Sequence, residues 1–262
     1  MLINFTLVPV QEVLPWGTSD NLSLSWFGLT DGQYWLEAGS SVLFEYSAMA
    51  RSLGCKQYCD YQVVRLYEDL IDMLPYVLEP VPASLVPYIS GESAISWQKT
   101  FEQWCEKHEA HATEDRYLEV LTVATEWQSK RQLDSLYLSP SANIAIWSDA
   151  ESVHFEWDNR DKLIDGQPAW TALQGAYKLP WSDFTHEIES FHTRLMNQMG
   201  HRVKQVASGA LSAEIKIDLA ALMREHEQRC HTLQLASGIK PKTDWLKIEQ
   251  TIYEIHSGIR CK

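Results

Sequence analysis

The chain has 262 residues, 45% hydrophobic and 22% charged, with a formal net charge of −13. That balance belongs to a folded globular protein and excludes a disordered or low-complexity chain. The acidic excess lies in residues 1–100 (4 basic, 11 acidic, net −7) and 101–200 (8 and 17, net −9), while residues 201–262 carry +3 (10 and 7); such a field disfavours nucleic acid and anionic lipid and favours cationic partners.

The start, MLINFTLVPVQEVLPW, lacks a basic n-region and has a proline in its apolar run. It reads as a first strand rather than a secretion signal. In LSWFGLTDGQYWLEA, Asp31-Gly32 is the dipeptide favoured at the centre of a two-residue type I′ turn. A hairpin there pairs Leu29 with Tyr34, Gly28 with Trp35 and Trp26 with Glu37. Phe27, Leu29, Tyr34 and Leu36 then share the core face, and Leu24, Trp26 and Trp35 the other, with Trp35 lying across Gly28. A turn at Ala38–Ser41 leads to a third strand at 42–46, completing an antiparallel meander.

Next, CDYQVVRLYEDLIDML spaces Val63, Leu66, Leu70 and Met73/Leu74 as a helix. Pro75, Pro80, Pro82 and Pro87 mark a linker or surface crossing. Helix resumes over 96–131, with Trp97, Phe101, Trp104, Cys105 and His108 on one stripe and a break near Ala112-Thr113. Strict alternation in 144–147 and 153–157 predicts a half-buried hairpin. The last third is helical: Phe184, Ile188, Phe191, Leu195, Met199, Val203 and Val206 form one stripe, and Ile215, Leu219, Leu222, His226 and Leu233 another. Trp245, Ile248, Ile252 and Ile255 form a third, ending at Ser257-Gly258. Strands and helices come in runs, so the fold class is α+β. The expected organisation is a single domain over 1–262, with sub-blocks 1–78 and 93–262 joined by the proline-rich crossing and the two beta blocks as halves of one sheet.

Five scattered cysteines (Cys55, Cys59, Cys105, Cys230, Cys261) suit a reducing cytosol. No apolar stretch approaches the length of a membrane span, so a cytoplasmic location without membrane contact is expected. His108 and His111 with Glu114, and His226 with Cys230 and His231, have helical spacing that a metal could use. Neither set has H-E-x-x-H spacing or an obvious further ligand, and solvated or packed positions explain both; no metal and no cofactor is expected. Cys55-x-x-x-Cys59 is one residue too long for a redox pair. His186, Glu189 and His192 spread over a helix flank. Ser96-x-x-Lys99 lacks the companion motifs of acylating enzymes. Asp149, Glu151, Glu156, Asp158, Asp161 and Asp165 read as a solvated hairpin rim rather than a cation site. No phosphate loop, dinucleotide fingerprint or nucleophile elbow occurs.

Two segments carry a resemblance: Trp26-Phe27-Gly28-Leu29-Thr30-Asp31-Gly32-Gln33-Tyr34-Trp35, and Phe155-Glu156-Trp157-Asp158-Asn159 through Ile164-Asp165-Gly166, Trp170 and Gly175 to Phe184, Glu187, Phe191, Leu195, Met199 and Arg202. They resemble a bacterial family of unknown function. The resemblance implies a bacterial cytosolic protein and supplies no activity, cofactor or catalytic residue. With 11 tryptophans and no readable active site, the favoured expectation is a protein-binding factor of the immunity or antitoxin kind, neutralising a cationic toxin domain. Trp26, Asp31, Trp35, Glu37, Asp158 and Asp161 are the candidate partner-binding residues. Self-association into a homo-oligomer is compatible with the same features. The alternatives are a metal-dependent or other hydrolase, and a small-ligand or nucleotide sensor that stacks its ligand on the tryptophans.

Overall fold

The structure is a computed structural model that describes residues 2–260. The first strand, β1 (Ile3–Leu7), is followed by a small hairpin of β2 (Trp16–Thr18) and β3 (Asn21–Ser23). Then come β4 (Gly32–Ala38), β5 (Ser41–Leu43), a short helix α1 (Ala48–Ser52) and β6 (Cys59–Asp60). Strand β4 is the spine of the first sheet, antiparallel to β1 along one edge and to β5 and β6 along the other. Helices α2 (Val63–Val77), α3 (Gly91–Lys107) and α4 (Asp115–Ser129) lead to β7 (Ile144–Ser148) and β8 (Ser152–Asp158). A minimal pair, β9 (Leu163–Ile164) and β10 (Gln167–Pro168), precedes β11 (Gln174–Pro180), which closes a second antiparallel sheet in the order β11-β8-β7. The chain continues through α5 (Trp181–Ala207), α6 (Leu219–Arg229), α7 (Thr232–Gly238) and α8 (Trp245–Arg260). This is an α+β fold with a helical C-terminal region, as the runs of strand and helix pattern predict.

The Asp31-Gly32 hairpin does not form. Residues 25–30 instead wind into a helical turn: Ser25 Oγ accepts from Gly28 N at 3.2 Å, and Leu29 N donates to Ser25 O at 3.0 Å. Trp26, Leu29 and Thr30 are therefore buried together at helical spacing. Asp31 leaves this turn in an extended conformation, with φ −52° and ψ 132°. Gly32 opens β4 opposite Leu7, and a Cβ there would lie 2.1 Å from the Thr6 carbonyl oxygen. The glycine permits close approach of β1, not a left-handed turn. The next turn forms as expected, with Ala38 opposite Ser41 and Gly39 at φ +65°.

Pro75 lies inside α2 rather than ending it. The crossing beyond is packed: Val81 and Leu85 are buried, and Val81 N donates to Ser148 O at 2.8 Å. The two beta blocks are separate sheets, joined through α2, which contacts β4 and β7, and α5, which contacts β1, β8 and β11. Around α2 and α5 lies the larger cluster of buried apolar side chains; a smaller one gathers Trp97, Trp104, Trp127 and Trp147 with Ile248, Ile252 and Ile255 of α8. Helix α8 runs past Gly258, whose carbonyl accepts from Lys107 Nζ at 2.5 Å.

The two indoles of the first beta block part company. Trp26 is fully buried beneath α6: its Nε1 donates to His226 Nδ1 at 3.4 Å, and the Arg229 guanidinium lies 4.4 Å from its ring centre. Trp35 is half-buried on the opposite side of the sheet from Tyr34 and Leu36, stacked on Tyr58 at 4.0 Å. Trp26→Ala should therefore cost about 3–5 kcal/mol of unfolding free energy, and Trp35→Ala, whose ring is only half-buried, clearly less. Urea titration of both variants checks the ordering; equal losses would contradict it.

Candidate functional site

On the outward face of the first sheet, alternation along β4 sends Gln33, Trp35 and Glu37 away from the core. Tyr58, one residue before β6, lies parallel to Trp35 with an interplanar angle of 15°. Trp35 Nε1 donates to Glu37 Oε1 at 3.4 Å. Behind Tyr58, Gln57 Nε2 bridges the Tyr58 hydroxyl at 3.1 Å and Glu45 Oε1 at 3.2 Å. Asp60 is paired with Lys56 at 2.8 Å. Burial pushes the Asp31 carboxyl up, Asp60 pushes the same way, and Lys56 opposes. Two stacked rings thus sit among four carboxylates on one face.

Of the sequence-based candidates, the structure brings together Asp31, Trp35 and Glu37. Trp26 belongs to the core. Asp158 ends β8 of the other sheet and Asp161 follows it, and each holds a neighbouring base: Asp158 meets Arg160 at 2.5 Å and Asp161 meets Lys162 at 3.4 Å. The Arg160 hydrogen bond holds Asp158 below the usual carboxylate range. Two further rim acids, Asp149 and Glu156, also have partners. Asp149 Oδ2 meets His154 Nε2 at 2.7 Å, and Glu156 accepts from Trp147 Nε1 and Gly91 N.

The histidine sets are dispersed. His108 stacks on Trp104 at 4.6 Å with Nδ1 donating to the Trp104 carbonyl at 2.8 Å, while the His111 side chain lies outside the described residues. His226 is held by Trp26, and Cys230 Sγ lies 3.9 Å from its Nε2. His192 Nδ1 meets the Tyr67 hydroxyl at 2.7 Å. Among the described residues, no three His, Cys, Asp or Glu side chains are placed to hold a metal ion. Burial pushes the Cys59 thiol up to about 12, which makes it a poor nucleophile; Cys261 lies outside the described residues.

One buried polar cluster has no counterpart in the sequence-based reading. Asp69 of α2 is only 8% exposed, Arg65 reaches its Oδ1 at 3.4 Å, and its Oδ2 accepts no hydrogen bond. Arg65 also pairs with Asp134 at 3.0 Å, and the Tyr137 and Tyr34 hydroxyls meet at 2.9 Å beside it. Burial pushes the Asp69 carboxyl up to about 7, against the pull of Arg65. The available signal was an acid adjoining the apolar stripe of Leu66 and Leu70.

A sequence model of one family, described as a family of unknown function, matches residues 2–251, almost the whole chain. The chain belongs to DUF5984. No curated protein and no solved structure matches it. DUF5984 membership carries no reaction or ligand with it.

Asp69 gives a pH-dependent prediction. Its carboxyl titrates near 3.9 in the unfolded chain and near 7 in the folded one. Between those values the unfolded chain has released a proton that the folded one keeps, so this group's contribution falls as pH rises through that window. Burial lowers the titration of His192 and His226, which works in the opposite direction at acid pH. Comparison with Asp69→Asn isolates the carboxyl. The variant should gain on the parent between pH 5 and 8 by roughly 2–4 kcal/mol. Parallel stability curves from urea titration would contradict this.

Proposed function

We propose that the chain is a cytosolic protein-binding factor whose partner is cationic, acting as an immunity- or antitoxin-like protein that occludes a basic toxin domain. The observation that carries this reading is the stacked Trp35–Tyr58 pair, half-buried on an outward sheet face with Asp31, Glu37, Glu45 and Asp60 around it. Aromatic side chains held in a fixed orientation are the usual anchors of protein interfaces, because they bury large area at small entropic cost. The π-face of such a ring also favours a lysine or arginine, and the surrounding carboxylates strengthen that preference. The net charge of −7 over residues 1–100 extends the attraction beyond contact distance.

The products of genes flanking this one can be expressed with and without the chain and growth scored. One basic product should arrest growth, and the wild-type chain should restore it. A Trp35→Ala, Glu37→Lys variant should lose that rescue while melting within a few degrees of the parent. Association with the arresting product should slow as salt rises from about 0.05 to 0.5 M, because screening shortens the range of steering. Absence of any growth-arresting neighbour, or rescue undiminished in the variant, would overturn the proposal.

A further inference from the structure

Where the end of α4 meets the start of α8, a cavity of about 290 Å³ opens to the surface. Trp127, Ile248 and Tyr76 supply its apolar wall, and Lys130, Arg131 and Lys242 its cations. Arg131 is fully buried. Its Nη1 donates to the Trp127 carbonyl at 2.8 Å and its Nη2 to Glu79 Oε2 at 3.2 Å, while its Nε–H has no acceptor. Glu79 is already committed, since it also accepts from Thr243 N at 3.2 Å and Thr243 Oγ1 at 2.5 Å. Lys130 pairs with Glu126 at 2.5 Å and lies 4.8 Å from the Tyr76 ring centre. Lys242 stands on the rim with no ion pair among the described residues. The cavity therefore has an unpaired lysine at its rim, a buried guanidinium with one unsatisfied donor in its wall and aromatic walls, and its lining carries four cations (Lys130, Arg131, Lys242, Lys247) against two acids (Glu126, Asp244).

We infer that this cavity binds a small aromatic anion, a single ring bearing a carboxylate or a phosphate. The ring lies against Trp127 and Tyr76, and the anionic group faces Arg131 and Lys242. Asp244, which also lines the cavity, is already engaged in capping α8, its Oδ1 accepting from Lys247 N at 3.0 Å. The volume sits at the small end of ligand pockets, which run from about 300 to 1,000 Å³. It suits one ring with its substituent and excludes a dinucleotide. This site is independent of the Trp35–Tyr58 face and stands whether or not that face binds a protein.

Calorimetric titration of the full chain with phenyl phosphate, benzoate, benzyl alcohol and inorganic phosphate tests the assignment. At least one aromatic anion should bind: phenyl phosphate alone assigns a phosphate, and benzoate alone a carboxylate. Benzyl alcohol and inorganic phosphate should bind at least tenfold more weakly. Lys242→Glu, on the exposed rim, should weaken the bound anion tenfold or more without moving the melting temperature. Silence from both aromatic anions, equal binding of either control, or indifference to Lys242→Glu would overturn the inference.

Discussion

Charged side chains on α5 hold the N-terminal segment by its backbone. Strand β1 pairs with β4 along one edge, and the Ile3 amide and carbonyl remain on the other. Glu187 Oε1 accepts from Ile3 N at 3.1 Å, and Arg194 Nη2 donates to Ile3 O at 2.8 Å while meeting Glu187 at 2.9 Å. Two turns further along, the buried Arg202 donates to Val8 O and, at 2.5 Å, to Leu29 O. An open strand edge invites pairing with another chain, and buried carbonyls without donors are costly. The helix answers both demands with charged side chains, of which Glu187 and Arg194 also pair with each other. Phe191, between Glu187 and Arg194 on the same helix, packs against Phe5 at 5.5 Å and Tyr67 at 5.8 Å, tying β1 to α2.

The disposition of the tryptophans follows from that clamp. Arg202 grips the carbonyl of Leu29, within the helical turn that rotates Trp26 inward. Residues of α6 then close over the indole, with Arg229 also bound to Glu68 of α2 at 2.7 Å. The inner face of β4 is occupied by Tyr34 and Leu36, so alternation leaves Trp35 outside, stacked on Tyr58 and bonded to Glu37. A similar economy appears in the second sheet, where Trp157 lies across Gly175. A Cβ on Gly175 would come within 2.4 Å of that indole.

The stripe of α5 was legible because its period is local, whereas the one drawn from Ile215 to Leu233 is divided between α6 and α7, with Ile215 outside both and Leu219 exposed. Every member of the Phe184-to-Val206 stripe is buried, and the alternation of 153–157 lies on β8 with Val153, Phe155 and Trp157 inward. Asp31-Gly32 misled because a glycine serves two purposes that look alike in a sequence. Here it admits a neighbouring backbone, and that neighbour, Thr6, is remote in the chain. Among the candidate partner residues, Trp35 and Glu37 fell on one face because both lie on a real strand; Trp26 was assigned there through a pairing that does not exist. The Asp69 cluster and the cavity beside Arg131 join residues from distant segments. Neither Tyr137 nor Lys242 has any local pattern that announces its neighbours. The fold class was readable, whereas the sites depend on long-range packing.

On the proposed function, Trp35 and Tyr58 meet a cationic partner while Trp26 stays in the core. Hydroxyl-radical footprinting read by mass spectrometry measures this directly, first on the free protein and then with the growth-arresting product of a neighbouring gene. The account predicts modification of Trp35 and Tyr58 in the free protein, their protection in the complex, and a silent Trp26 in both. Modification of Trp26 in the free protein, or partner protection that leaves Trp35 and Tyr58 as reactive as before, would contradict it.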